Sequence, residues 1–207
     1  MTTKNTILII NWRSLKDPLS GGAEVATMEH AKRWVGHEGA RVIWLSPPPK
    51  KNSQNEIIDG VEFNYLGRSL TRNNFTLFFN YLYFCLLVFI FYIRHYRNFV
   101  DVVIDQAHGF PFLTPLYVGK KKILFIHEVA GAIWTKMYPF PLGLLGRIFE
   151  PLVFIPYKNT QVVTVSESTK SDLIRVGLKA QNIIVIPNGI SVPLVDKRIP
   201  KENNLTL

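Results

Sequence analysis

The chain has 207 residues, enough for one large domain or a domain with part of a second. Hydrophobic residues make up 47% and charged residues 19%, which supplies a packed core and excludes wholesale disorder. The formal charge of +9 selects anionic partners: nucleic acid, an anionic membrane face or a phosphorylated ligand.

Elements follow in chain order. "TILII" at 6–10 reads as a short buried strand; it is too short for a signal-peptide core and runs straight into polar residues. The loop "NWRSLKDPLSGG" then leads to a helix over 22–35, with Ala23, Ala26, Ala31 and Trp34 among its apolar positions. "HEGARVIWLS" (37–46) reads as a turn and second strand, "PPPKKNSQNE" as an exposed loop, and "GVEFNYLG" (60–67) as a third strand. A long apolar helix is predicted over 75–95. "DVVID" (101–105), "KILFIH" (122–127), "QVVTVS" (161–166) and "NIIVIPNGI" (182–190) are further strands. Short all-apolar strands alternating with helices predict a doubly wound α/β domain: a Rossmann-like parallel sheet with helices on both faces. No internal repeat is present.

In such sheets ligands bind beyond the carboxyl ends of the strands. The segments there carry Glu24, Asp105, His108, His127, Glu128, Ser166 and Glu167. The Gly21–Gly22 turn opens a helix, where free N–H groups and the helix dipole attract phosphate and a missing Cβ lets a ligand approach; the plain alternative is an ordinary turn. No G-x-G-x-x-G stands here, strand 2 ends in "WLSPPP" with no acidic residue for a ribose, and there is no G-K-[ST] loop. Nicotinamide chemistry and P-loop hydrolysis are disfavoured accordingly. His127 ends a buried strand, where it either donates to a sugar hydroxyl or polarises a leaving group, or is held by nearby backbone. A zinc site lacks H-x-x-x-H or cysteine-pair support, and "TVSES" lacks the glycines of a hydrolase elbow. Ser166 or Ser168 caps the following helix, with Asp172 in its first turns, and Ser166 and Glu167 are free for a second role at the cleft mouth. The single cysteine, Cys85, excludes an intramolecular disulfide framework and fits a reducing cytosol.

Taken together, "GGAEVATMEHAKRW", "HEVAGAIW" and "VTVSESTKSDLIRVG…NIIVIPNGI" resemble the N-terminal half of a glycosyltransferase family 4 enzyme of the GT-B fold, over about residues 5 to 195. The resemblance implies two Rossmann-like domains about a cleft, the first receiving the acceptor and the second the nucleotide-sugar donor. It implies transfer that retains anomeric configuration, with no metal and no other cofactor. Gly21 and Gly22 match the loop that approaches the donor diphosphate, His127 the histidine near the transferred sugar, and Ser166 and Glu167 a strand-end segment facing the cleft. Glu24 and Glu128 take supporting roles. "PNGI", with Asn188, matches the approach to the interdomain linker. Residues 1–195 are expected to form the Rossmann-like domain, and 196–207 a linker and the start of a donor-binding domain whose basic clamp and E-x7-E motif are not in this sequence. Alone, such a chain is expected to bind acceptor and transfer poorly; the alternative is a non-catalytic, membrane-associated binding subunit of a split glycosyltransferase.

"FTLFFNYLYFCLLVFIFYI" (75–93) has three readings. It is long enough to span about 30 Å of hydrocarbon, but a span would put the flanking strands on opposite sides of the membrane. A buried crossover helix normally has a polar outer face, and this one offers little beyond Asn80. Interfacial insertion, with Arg68, Arg72, Arg94 and Arg97 on anionic lipid, fits both facts. The expected partners are a nucleotide-sugar, a sugar or lipid-linked acceptor, and an anionic membrane; the expected location is cytoplasmic, peripheral on the inner membrane face. Nucleic acid is not expected, since positive charge is spread out apart from "KKK" (120–122).

Overall fold

The computed structural model describes residues 5–69 and 74–189. The expected boundary at 195/196, Arg72 and the ending "KENNLTL" lie outside the described residues.

One eight-stranded sheet has the order β3-β4-β2-β1-β5-β6-β7-β8. The elements in chain order are β1 (Thr6–Asn11), α1 (Gly22–Gly36), β2 (Arg41–Ser46), β3 (Glu56–Ile58), β4 (Val61–Tyr65), α2 (Asn74–Phe91), β5 (Val102–Ala107), β6 (Lys121–Ile126), α3 (Ile133–Met137), α4 (Leu142–Val153), β7 (Gln161–Thr164), α5 (Glu167–Arg175) and β8 (Ile183–Val185). All neighbouring strands pair in parallel except β3 with β4.

The expected exposed loop over 47–56 needs correction at its end. Glu56 begins an edge strand that returns through Asp59–Gly60 onto β4. Both turn residues have positive φ, 48° and 81°, the requirement of a two-residue hairpin turn matched to strand twist. Gly60 is also packed tightly: a Cβ there would lie 2.7 Å from Val35 Cγ1. The strand expected at 60–67 is therefore the fourth in the chain.

Alternation along the strands sorts the core into two layers. Leu8 and Ile10 face one side with Ile43, Leu45 and Val103, where they meet Phe84, Val88, Tyr92 and Tyr96 from α2 and the turn after it. Ile9 faces the other side with Val42, Trp44 and Ile104, beneath Met28 and Ala31 of α1. Leu124, Ile126 and Val162 continue the first face, under Leu173 of α5 and the Phe154–Tyr157 segment. Helices thus cover both faces, as the all-apolar strands require.

The α2 segment settles one of its three readings by topology. By length and composition Phe79–Tyr96 could cross a membrane. Its inner stripe is nonetheless in the core, with Phe84 2% and Val88 0% exposed, burial that contributes roughly 1.5–3 kcal/mol per side chain. It is a crossover helix over the sheet, and Leu82, Leu86 and Phe89 remain about half exposed on its outer side. The helix expected to reach residue 95 ends at Phe91 and closes with a π-helical turn over Tyr92–Tyr96.

A buried polar knot fixes the loop after β5. Asp105 is 0% exposed and accepts from Phe112 N at 3.1 Å, Thr114 N at 3.4 Å, Thr114 Oγ1 at 2.7 Å and the Tyr157 hydroxyl. Burial pushes this carboxyl up from its ordinary value, and the four donors oppose that shift. Tyr157→Phe should destabilise the fold by about 1.5–3 kcal/mol, since it removes one donor from a buried carboxyl and one acceptor from Thr114 N. Urea denaturation checks this; a loss below about 0.5 kcal/mol would show that the knot does not hold the loop.

Candidate functional site

The parallel register brings the strand ends to one edge. β1 delivers Asn11 and the loop to Gly21, β5 delivers Gln106 and His108, β6 delivers His127, and β7 delivers Ser166. Asn11 and Gln106 are register partners, and the His108 and His127 rings stack in parallel with centroids 6.1 Å apart and planes 4° apart.

Glu24 is the centre of this edge. Its side chain is 0% exposed although it is one turn into α1. Oε2 accepts from Gly21 N at 2.7 Å, closing the first turn of the helix from within. Oε1 lies 2.8 Å from His108 Nε2. Burial acts to raise the Glu24 carboxyl, but the His108 contact, the Gly21 N–H and the Arg13 charge together bring it below its ordinary value. Glu24 therefore stays ionised and ties the β1 loop, α1 and the end of β5 together. It is not open to a ligand.

Gly21 and Gly22 are both exposed. Gly21 has φ −139° and ψ −159°, extended backbone that most residues adopt. A Cβ on Gly22 would meet no protein atom within 4 Å, and one on Gly21 would meet only Glu24 Oε2 at 3.9 Å. Neither left-handed backbone nor internal packing calls for glycine here. The N–H of Gly21 is already taken by Glu24; the first-turn N–H groups of Gly22 and Ala23 have no acceptor within the helix by its geometry.

His127 sits just past β6, half-buried, against Phe125 at 4.6 Å and beside His108. Its buried Nε2 has no hydrogen-bond partner among the described residues. Burial, reinforced by neighbouring His108, lowers its pKa from 6.5 to about 4, so it is neutral at pH 7. Among the described residues, Asn11 Nδ2, Gln106 Oε1 and Ser46 Oγ are likewise buried with no protein partner. Such atoms at the strand ends are where water or a polar ligand completes the bonding.

The loop after His127 is held by a residue that motif reading passed over. Glu150, 1% exposed, accepts from Ala130 N at 2.8 Å and Gly131 N at 2.7 Å. Burial raises its carboxyl despite those two N–H groups. Thr169 Oγ1 donates to the His127 carbonyl at 3.1 Å, so α5 also pins the strand end.

The remaining expected residues spread around this centre. Ser166 caps α5 by accepting from Thr169 N at 3.2 Å. Glu128 and Glu167 are exposed beside it, and Asn188 is exposed beyond β8. The structure brings Gly21, Gly22, Glu24 and His127 together with His108, a strand-end candidate given no role from the sequence, and with Glu150, which was not among the expected residues.

Residues 20–192 match Glycosyltransferase Family 4, and the chain belongs to that family. No curated protein matches it. Among solved structures, sucrose-phosphate synthase from Thermosynechococcus elongatus is similar at a TM-score of 0.61 and 14% identity, over 89% of this chain and 48% of that one. An α,α-trehalose 6-phosphate synthase from Burkholderia multivorans aligns at a TM-score of 0.47 and 13% identity, over 83% of this chain and 41% of that one. The likeness to the first is one of fold, that of GT-B glycosyltransferases. The chain spans about half the length of these proteins.

A histidine whose folded pKa is depressed binds fewer protons folded than unfolded. Its contribution is therefore complete above pH 6.5 and is lost as pH falls toward about 4. The His127 ring protons should titrate near pH 4 by NMR, and His127→Ala should flatten the acid loss of stability in that window. Titration near 6.5 would show a ring open to water.

Proposed function

We propose that this chain is the acceptor-side domain of a retaining glycosyltransferase that takes a sugar from a nucleotide-sugar donor. Family membership supports the transferase class. One observation carries the site: Gly21 and Gly22 are glycines that neither backbone conformation nor packing requires. A bare backbone there serves an outside group. The donor diphosphate, held by a second domain, closes onto Gly22 and Ala23, where the helix N-terminus favours negative charge. His127 contacts the transferred sugar, its neutral Nε2 able to bond a hydroxyl. Glu24 and Glu150 touch no substrate; they position the Gly21 loop and the His127 loop. Ser166, Glu128, Glu167 and Asn188 line the approach. No metal or other cofactor takes part. The acceptor is a sugar or lipid-linked glycan of the cell envelope, and the domain is peripheral on the cytosolic membrane face, with the apolar outer side of α2 in the interface.

Gly22→Val tests the central point. In the transferase that carries its donor-binding half, it should lower kcat/KM for sugar transfer roughly 100-fold by holding the diphosphate away. The unfolding midpoint should stay nearly unchanged, because the Cβ it adds meets no protein atom within 4 Å. His127→Ala should cut kcat comparably. Full activity in Gly22→Val would remove the glycine loop from the donor site.

A further inference from the structure

The α4 helix shows two opposed faces. Its inner face is tightly fitted: a Cβ on Gly143 would lie 2.5 Å from the Tyr138 carbonyl oxygen, and one on Gly146 2.7 Å from the Trp134 ring. On the same side Glu150 turns inward to the Ala130 and Gly131 N–H groups, in the loop that follows His127. Its outer face is a stripe of Leu144, Leu145, Ile148, Phe149 and Leu152, exposed by 44%, 43%, 54%, 50% and 51%. Just ahead of the helix Phe140 is 84% exposed, between Pro139 and Pro141. A helix facing water carries polar residues on that side, and a contiguous apolar stripe marks a contact surface.

Charge identifies the contact. From Val129 to Ser166 the sequence has one carboxylate, Glu150, and it is buried. Lys136, Arg147 and Lys158 are exposed around the stripe. Around α2 the pattern recurs: no Asp or Glu occurs between Glu62 and Asp101, while Arg68, Arg94 and Arg97 are exposed. Apolar side chains in a segment whose own exposed charges are all cationic, with an aromatic at the rim, match an anionic bilayer surface, where acyl chains take the stripe and phosphates take the cations.

We infer that α4 is a second membrane-contact element, separate from α2, that inserts its outer face into an anionic lipid interface. Because Glu150 ties the same helix to the His127 loop, this contact sets the reaction site at the bilayer surface and favours a lipid-linked acceptor. The last clause rests on the transferase reading above; the contact itself does not.

The test uses the 207-residue chain with phosphatidylcholine vesicles and with vesicles containing phosphatidylglycerol. The wild-type chain should sediment with the anionic vesicles only. Leu145→Asp/Ile148→Asp should lower the apparent partition coefficient at least about 10-fold. In a Cys85→Ala background, an environment-sensitive dye at Ile148→Cys should shift to the blue on anionic vesicles. The same dye at Arg33→Cys, on the helix covering the other sheet face, should not. This second measurement stands even where the double variant folds poorly. Wild-type partitioning by the double variant, or a water-exposed dye at 148 on vesicle-bound protein, would overturn the inference. So would a wild-type dimer that ignores vesicles and that the double variant dissolves. None of these outcomes bears on transfer, which Gly22→Val reads separately.

Discussion

One buried carboxylate organises the reactive edge of this domain. Glu24 lies inside the protein with no exposed surface, yet it is charged. An ion in that position is stable only when its lone pairs are met by donors. The Gly21 N–H donates to Oε2 and the His108 ring lies 2.8 Å from Oε1, and these two belong to segments that the sequence keeps far apart. Satisfying Glu24 therefore forces the β1 loop, the start of α1 and the end of β5 into one arrangement. His108 then fixes the plane against which His127 stacks. Glu150 repeats the device on the other side of His127, with two backbone N–H groups as donors. The glycine loop and the histidine are thereby held without occupying the faces they turn to a ligand.

This division of labour matters for chemistry. In the transfer proposed above, donors aimed at a departing diphosphate and a neutral group beside the sugar are both placed before the substrate arrives. Positioning carboxylates within the protein keeps their negative charge beside N–H groups and imidazole and off the exposed edge. Burial keeps His127 neutral. The outer sides of α2 and α4 are apolar and exposed, a feature separate from this edge.

Much of the fold was legible because its strands are short, wholly apolar runs, which only a sheet covered on both faces can bury. Boundaries held within a few residues where periodicity was strong, as in β1 and α1. The β3 strand was hidden because it is only Glu56–Ile58 behind a polar stretch, although Asp59–Gly60 carried the hairpin signal. The helices α3 and α4 were passed over because Pro139, Pro141, Pro151, Gly143 and Gly146 all argue against a helix. There the glycines are required by contact with Trp134 and Tyr138, a tertiary fact with no local signature. The site divides in the same way. Gly21, Gly22 and His127 were visible as strand-end motifs. The Glu24–His108 pair depends on sheet order, and Glu150 on a helix packing back over the loop, so neither could be read from spacing. Glu24 was expected in a supporting role, and its full burial places its side chain within the frame of the site.

The central claim is that two buried carboxylates pre-assemble the site in the free protein. Native-state amide hydrogen exchange by NMR tests it directly at Gly21, Ala130 and Gly131, all in loops. The structure predicts that these three amides exchange slowly, near the rates of the β1 and β6 strands. It also predicts that Glu24→Ala releases Gly21 alone, while Glu150→Ala releases Ala130 and Gly131. Exchange at ordinary loop rates in the unaltered protein would contradict it, and would mean that the site is assembled only when a ligand or second domain arrives.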